Sequence, residues 1–412
     1  MSMVIFLVCF FLLSPILFLM LLCLHRKIKE YSASKEGYIS FGGDDMYQSR
    51  NIRLNIHDAI MIARVTLKMD DETFLDCTER VKSPFIKWCK DLENSIMPCH
   101  KPEVFDEYYE VWDEYQDYKL KQDLPVLAKI IFCKKEKVVL LIGNHIYLGG
   151  YFLAHFVQHL FCDKIYSDVF PKNKYIPLVS EGMMLFFITG MISRKKHIKL
   201  PLFNDDSKVG RFHLKLPKNI LSVHPNKKKP HLLYRVIAYH IHLVMRHLKK
   251  DRLRVTLPVS FSNRNSFNTV GAIFLDIDYD PDPVSFTDKI RRLIRANGYQ
   301  VSASNNFQRI FPTRKLSTNA RNLVDLTLTV VPQKTLPNNL IDSELDQFQF
   351  TMLNIRYPVY IMAFIFEDSV HSSFMINTAE FDIESFKKER GFVNSSLPEI
   401  FKFNEKNRFI EQ

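Results

Sequence analysis

The sequence predicts a mixed α/β protein of two lobes, set behind one N-terminal membrane-spanning helix. Three observations predict it. Met3 to Leu24 is an apolar run without a charge. Strand-like runs rich in β-branched and aromatic residues then alternate with amphipathic helical stretches, and several of the strand runs pair as hairpins. A proline- and lysine-rich stretch, 217–230 (PKNILSVHPNKKKP), interrupts the body near its middle.

The apolar run MVIFLVCFFLLSPILFLMLLCL is long enough, at about 1.5 Å of rise per residue, to cross a hydrocarbon core of about 30 Å. Ser14 and Pro15 are tolerable inside it, because the remaining backbone groups stay paired. His25, Arg26, Lys27 and Lys29 follow at once, so the positive-inside rule favours the body on the cytosolic face of a membrane, with the endoplasmic reticulum as a candidate and the reverse, lumenal insertion as the alternative. A cleaved signal peptide would carry a basic leader, a shorter apolar core and a small-x-small cleavage site, and these are missing.

The remainder exceeds the size at which one hydrophobic core usually suffices, about 250–300 residues. The division read from composition is an anchor (1–30), a first lobe (31–216), a linker (217–230) and a second lobe (231–412). Hydrophobic content of 47% and charged content of 25% describe an ordinary globular body. The apolar stretch Gly182 to Ile192 is too short to span a bilayer and reads as buried or interfacial. The seven cysteines include Cys9 and Cys23 in the anchor and lack CxxC spacing, which fits a reducing compartment rather than a disulfide framework. The net charge is +11, with basic clusters at Lys134–Lys137, Arg194–Lys196, Lys227–Lys229, Lys249–Arg254 and Arg291–Arg295. No nucleic-acid-binding motif accompanies them, so nucleic acid is not an expected partner. Anionic lipid headgroups, a phosphate-bearing cofactor and plain solvated surface are the readings left for these clusters.

In chain order, 31–55 reads as a polar tether and His57 to Met69 as a segment of helical or mixed periodicity. A helix is expected within Asp71 to Cys89, and a strand with a following loop within Phe105 to Leu120. Leu127 to Cys133 and Lys137 to Ile142 read as an antiparallel pair closed by a charged turn, with Gly143-Asn144-His145 at its exit. Gly149 to Phe161 reads as an amphipathic helix. In the second half, His231 to Leu248 is helical, and Arg252 to Phe261 and Gly271 to Tyr279 are strands. A Pro-Asp-Pro turn then leads to a basic helix, Phe286 to Asn297, with Ser285 as its candidate cap. Leu323 to Val331 is a strand, Tyr360 to Phe366 and Ser372 to Asn377 form a hairpin, and Asp382 to Glu389 begins a final helix.

Only 12 glycines occur in 412 residues. The sequence contains no G-x-G-x-x-G, no G-x-x-x-x-G-K-[ST] and no G-x-S-x-G, which argues against dinucleotide oxidoreductases, P-loop enzymes and typical α/β-hydrolases. The informative segment is Leu140 to Phe161, LLIGNHIYLGGYFLAHFVQHLF. A histidine at a strand end, followed by a short glycine-bearing loop and a helix, is a good place for a base, since imidazole titrates near working pH. A single histidine there is also compatible with a structural role.

This segment resembles the H-H-x-x-x-D-G signature of the CoA-dependent acyltransferase superfamily, whose fold is the two-lobed, mixed-sheet chloramphenicol acetyltransferase-like fold. It looks most like the wax ester synthase/diacylglycerol acyltransferase branch. Asn144 falls on the first histidine, His145 on the second, catalytic one, and Gly150 on the closing glycine. Residues 255–275 (VTLPVSFSNRNSFNTVGAIFL) resemble the family's P-V-S segment and its following Asn-containing strand, and 326–337 (LTLTVVPQKTLP) a later family strand. The likeness covers about 125–390. It implies His145 as general base, acyl-CoA as co-substrate with no bound cofactor, and a lipid alcohol (a long-chain alcohol or diacylglycerol) as acceptor. Ser260 and Asn268 lie in the matching second half as candidate cleft or oxyanion residues. The chain departs from the family at Gly149, which stands where the family has an aspartate that orders the motif loop. That leaves a second reading, a catalytically degenerate relative acting as a lipid- or protein-binding module. His155 and His159 share a helix face at i, i+4, a zinc-compatible spacing, but no third ligand lies near them in the sequence and no metal is expected.

Overall fold

Two β-sheets organise the chain, and each takes a strand from the other side of the 217–230 stretch. The computed structural model describes residues 60–76, 103–105, 128–144, 209–217, 232–260, 270–301, 303–304, 324–331, 345–352, 358–366, 369–377, 402–403 and 409–410, with scattered positions between 13 and 28. Its first sheet contains β1 (Ile60–Leu67), β2 (Glu103–Phe105), β3 (Ala128–Cys133), β4 (Val138–Asn144) and a late strand, β9 (Leu345–Met352), in the order β2-β3-β4-β1-β9. The second contains β5 (Val209–Pro217), β6 (Arg252–Ser260), β7 (Val270–Asp278), β8 (Leu326–Val331), β10 (Val359–Ile365) and β11 (Ser369–Asn377), in the order β5-β11-β10-β8-β6-β7. A short pair, β12 (Lys402–Phe403) and β13 (Phe409–Ile410), stands apart. Thus β5, from before 217–230, lies in the second sheet, while β9, from after it, closes the edge of the first.

The expected antiparallel pair is β3 and β4, joined through a turn in which Lys137 adopts φ 52°. Val138, Val139, Leu140 and Leu141 are all fully buried, as befits a central strand covered on both faces. The mixed periodicity of 57–69 resolves as strand: β1 pairs with β4 on one side and β9 on the other. A strand flanked on both edges by partners overrides a weak local pattern. The helix expected after Asp71 begins there, with Asp70 as its cap: its carboxylate accepts from the Thr73 N–H at 2.7 Å, and its carbonyl takes the Phe74 N–H. Lys137 reaches back to pair with Asp71 and lies over the Phe74 ring, fastening this turn to the β3–β4 hairpin.

One face of the second sheet carries both long helices, α1 (Leu232–Leu248) and α2 (Pro283–Ala296). Alternation in the strands places Leu253, Val255 and Leu257 of β6, Ile273, Leu275 and Ile277 of β7, and Leu326 and Leu328 of β8 toward Val236, Ile241 and Val244 of α1 and Phe286 and Ile290 of α2. At about 25 cal/mol per Å² of apolar area removed from water, this is the main cohesive element of the second half. α2 is not capped by Ser285. It starts earlier, with Pro283 in its first turn and Asp282 as N-cap, accepting from the N–H groups of Val284 and Ser285. A fixed proline φ suits the first helical position, and the aspartate before it supplies the acceptor. Ser285 instead donates its hydroxyl to Asp280 at 2.6 Å, which holds the Asp280 carboxyl below its usual range.

β7 forms an outer edge of the second sheet, and the side chains of Gln300 and Ser304, both on helical backbone, close it. Phe274 N–H donates to Gln300 Oε1, and Ala272 N–H donates to Ser304 Oγ, each at 2.7 Å. This approach requires a glycine: a Cβ on Gly271 would sit 1.9 Å from the Val301 carbonyl oxygen. The described positions of the expected anchor are helical, and Leu13, Leu17, Phe18, Leu21, Leu24 and Ile28 among them are exposed. Among the described residues no helix is long and apolar enough to cross a membrane. The expected tether, the 149–161 and 382–389 helices and the 182–192 stretch lie outside the described residues.

Gly271→Ala is expected to lower stability by about 2 kcal/mol or more, because backbone rather than a side-chain tip occupies the space. Chemical denaturation of both proteins measures this, and equal midpoints would show that the 300–304 segment moves freely.

Candidate active site

β4 ends on Asn144, the residue before His145. At that end of the sheet Asn144 pairs with Ile60 of β1, and Gly143 with Ala128 of β3 and Met61 of β1. Met61 in turn pairs with Met352 of β9. The motif segment therefore leaves the central strand of the first sheet at an end bounded by three other strands. His145, Gly149, Gly150, His155 and His159 lie outside the described residues, as does Asn268. Among the described residues no cluster of three or more His, Cys, Asp or Glu side chains is gathered that would hold a metal.

Ser260 closes β6, opposite Val270. Pro258-Val259-Ser260 is the end of a strand whose parallel ladder to β8 stops at Thr256 and Thr327, although β6 runs on to Ser260 and β8 to Val331. A proline is tolerated there because that ladder has already ended. At its last rung the hydroxyls of Thr256 and Thr327 are buried and have no hydrogen-bond partner among the described residues. Beside them, Arg254 makes a buried ion pair with Asp276, Nε to Oδ1 at 2.8 Å, and Asp325 accepts the Arg254 backbone N–H at 2.8 Å. Asn144 and Ser260 thus end strands of different sheets. Of the basic clusters, Lys227–Lys229 lies outside the described residues. On α2, Arg291 pairs with Asp288, while Arg292 and Arg295 are exposed.

The sequence reading did not single out the buried polar groups between the sheets. Strand alternation turns Phe212, Leu214 and Leu216 of β5 toward the helices and His213 and Lys215 the other way. On β11, Ser369, His371 and Ser373 share that second direction. His371 Nδ1 accepts the Phe348 N–H at 3.0 Å, and Ser373 Oγ accepts the Phe350 N–H at 2.8 Å, both donors lying on β9. Accepting at Nδ1 leaves the His371 proton on Nε2, which faces Ser369 Oγ at 3.0 Å. Lys215 Nζ donates to the Asp346 carbonyl at 2.8 Å, again on β9. His213 lies 5.6 Å from His371, ring centre to ring centre, and neither of its nitrogens has a hydrogen-bond partner among the described residues. The signal available in the sequence was the pattern F-H-L-K-L at 212–216, a polar pair alternating with apolar residues.

On the helix side, His240 Nδ1 donates to the Val236 carbonyl and its Nε2 accepts from Ser372, each at 2.7 Å. Burial depresses all three imidazoles: His213 to about 3, His240 to about 4, and His371 well below the ordinary value of 6.5, where His213 and Lys215 oppose its charge further.

A scan against protein-family models finds no match, and a search of curated proteins finds none. Comparison with solved structures finds condensation domains. A mutant of the starter condensation domain of rhizomide synthetase RzmA, in complex with C8-CoA and Leu-SNAC, superposes with a TM-score of 0.56 at 11% identity, over 87% of this chain and 93% of that one. Another mutant of that domain, in complex with C8-CoA, gives 0.54 at 12% identity over 88% and 94%. The first condensation domain of the CDA synthetase gives 0.52 at 12% identity over 86% and 93%.

The buried imidazoles make the fold acid-sensitive. Below the unfolded value of 6.5 the unfolded chain binds protons that folded His240 and His213 refuse until about 4 and about 3. Stability is therefore full above pH 6.5 and falls as pH drops, by about 1.4 kcal/mol per pH unit for each such group. The denaturation midpoint is expected to be lower at pH 5 than at pH 7.5, and His213→Phe, which sacrifices no hydrogen bond to a described residue, is expected to narrow that difference. A gap between the two pH values unchanged by the substitution would refute this account of His213. The chain is thus a mixed α/β protein with two sheets and a condensation-domain-like fold.

Proposed function

We propose that the protein is a membrane-anchored O-acyltransferase that moves an acyl group from acyl-CoA to the hydroxyl of a lipid acceptor, a long-chain alcohol or diacylglycerol. The observation that carries the acyl-CoA part is the likeness, over most of the chain, to a condensation domain with C8-CoA bound. The motif order supports it: Asn144-His145 leaves the central strand of the first sheet, and Pro258-Val259-Ser260 ends a strand of the second. In this reading His145 takes the proton of the acceptor hydroxyl as that oxygen attacks the thioester carbonyl. The tetrahedral oxyanion collapses, the C–S bond breaks, and CoA leaves as the thiol with the proton returned from the imidazolium. Ser260 and Asn268 are the candidate donors to the oxyanion.

The lipid acceptor is supported by the N-terminal apolar run, whose described helical positions expose large apolar side chains. An anchored enzyme samples substrates dissolved in the bilayer. The wax ester synthase/diacylglycerol acyltransferase branch is the finer assignment and rests on the sequence motifs. The second reading, a relative that binds without catalysis, is favoured by Gly149 in place of the motif aspartate.

Labelled acyl-CoA supplied to membranes containing the full chain, with a panel of lipid alcohols, tests the reaction. His145→Ala is expected to lower ester formation about 100-fold or more. Equal product from both proteins would sink the general-base role, and saturable acyl-CoA binding without product across the panel would establish the binding module instead. The anchor is tested separately. The full chain is expected to resist alkaline carbonate extraction and a chain lacking residues 1–30 to be released, with the body accessible to protease from the cytosolic side. Release of the full chain by carbonate would overturn the anchor.

A further inference from the structure

β9 is an edge strand, yet its free edge is not exposed to water. The N–H groups of Phe348 and Phe350 and the carbonyl of Asp346 point away from β1 and are met by His371, Ser373 and Lys215 of the second sheet. Two of these three ties are ordinary. The third uses a lone pair that imidazole possesses only while neutral. Around His371, β5 contributes His213 and Lys215, β9 contributes Asp346, and β1 leads to Lys68, whose Nζ pairs with Asp346 at 3.3 Å. Just past the end of β10 the ring of Phe366 approaches to 4.8 Å, and Ser369 and Ser373 flank His371 on its own strand. The surroundings thus offer a second imidazole and an ammonium group, and among the described residues no carboxylate is bonded to His371 that would welcome a charge.

We infer that β9 is a proton-operated strap: His371 and Ser373 clamp it to the second sheet while His371 is neutral, and acid releases it when the imidazole becomes charged. A second proton on His371 turns the acceptor facing Phe348 into a donor. It also sets a cation against Lys215 and against His213, which has no hydrogen-bond partner among the described residues. The strap carries the register of the strand that precedes His145, because β9 pairs with β1 and β1 with β4. His371 and Ser373 are accordingly positioning residues for that segment, a consequence that rests on the acyl-transfer reading. The strap itself does not.

Closed, the strap holds neutral imidazoles. Open, it exposes them at ordinary basicity. Linkage then raises the open population about tenfold between pH 7.5 and pH 5.5 for one exposed histidine, and about a hundredfold if His213 is exposed with His371. Hydrogen exchange in the full chain, corrected for the intrinsic pH dependence of exchange, reads this at the Phe348 and Phe350 amides. The amides of Ile241 and Val244 in α1 serve as the reporter of global unfolding. The expected result is a loss of protection of at least tenfold at Phe348 and Phe350 without an equal loss in α1. His371→Gln combined with His213→Phe keeps an acceptor for Phe348 but no titrating group, and its protection there is expected to be the same at both pH values. Ser373→Ala is expected to lower Phe350 protection at both pH values while leaving the ratio between them intact. Wild-type protection that does not change with pH, or an equal fall in the double variant, would overturn the strap. Absence of ester formation in every variant would refute the acyl-transfer reading and leave the exchange result standing.

Discussion

An edge strand must find partners for its outward backbone groups, and in this protein that constraint ties the two sheets together. β9 leaves the second half of the chain, pairs with β1 and completes the first sheet, so its outer edge faces the sheet it came from. Water is excluded there: Phe348, Gln349 and Phe350 are buried. A buried N–H without a partner costs about 1–3 kcal/mol. His371 and Ser373 supply the acceptors from side chains rather than from another strand, which lets two sheets meet without merging into one.

The same demand explains the composition of β11. One set of its side chains, Val370, Phe374 and Ile376, enters the helix-side core, where Phe374 stacks on Phe212 at 4.5 Å. The alternate set, Ser369, His371 and Ser373, faces β9. Ser372 is the exception on the helix side, and it is satisfied by His240 of α1. A strand that looks too polar for the middle of a sheet is therefore fully employed. The opposite edge follows the same logic on β7, where Gln300 and Ser304 replace a strand and Gly271 permits the approach.

The likeness to condensation domains is one of backbone architecture over most of the chain. At 11–12% identity it conveys the fold. Two of the residues that the motifs nominate, Asn144 and Ser260, end strands of different sheets, the first at the centre of the first sheet and the second beyond the point where β6 and β8 part.

Much of the architecture was legible in the sequence because it is local. Leucine-rich periodicity marked α1, β-branched runs marked β3, β4, β6, β7 and β8, and the charged link between Cys133 and Val138 marked a hairpin. The motif N-H-x-x-x-G-G and P-V-S in that order suggested a two-lobed, mixed-sheet fold, and the fold found is condensation-domain-like. Other features depended on partners far along the chain. The mixed pattern of 57–69 became strand only because β4 and β9 flank it, and β5 and β9 change sheets because their alternating faces match β11 and β1, which no local periodicity reports. By itself, then, the sequence determined which segments are strands or helices wherever burial follows a regular period, and it named His145 by motif. Tertiary structure alone decided which sheet each strand joins and which polar side chains meet across the gap. Hydrogen-bond satisfaction at a buried edge is a pairing condition between residues such as Phe348 and His371, and neither residue carries that information alone.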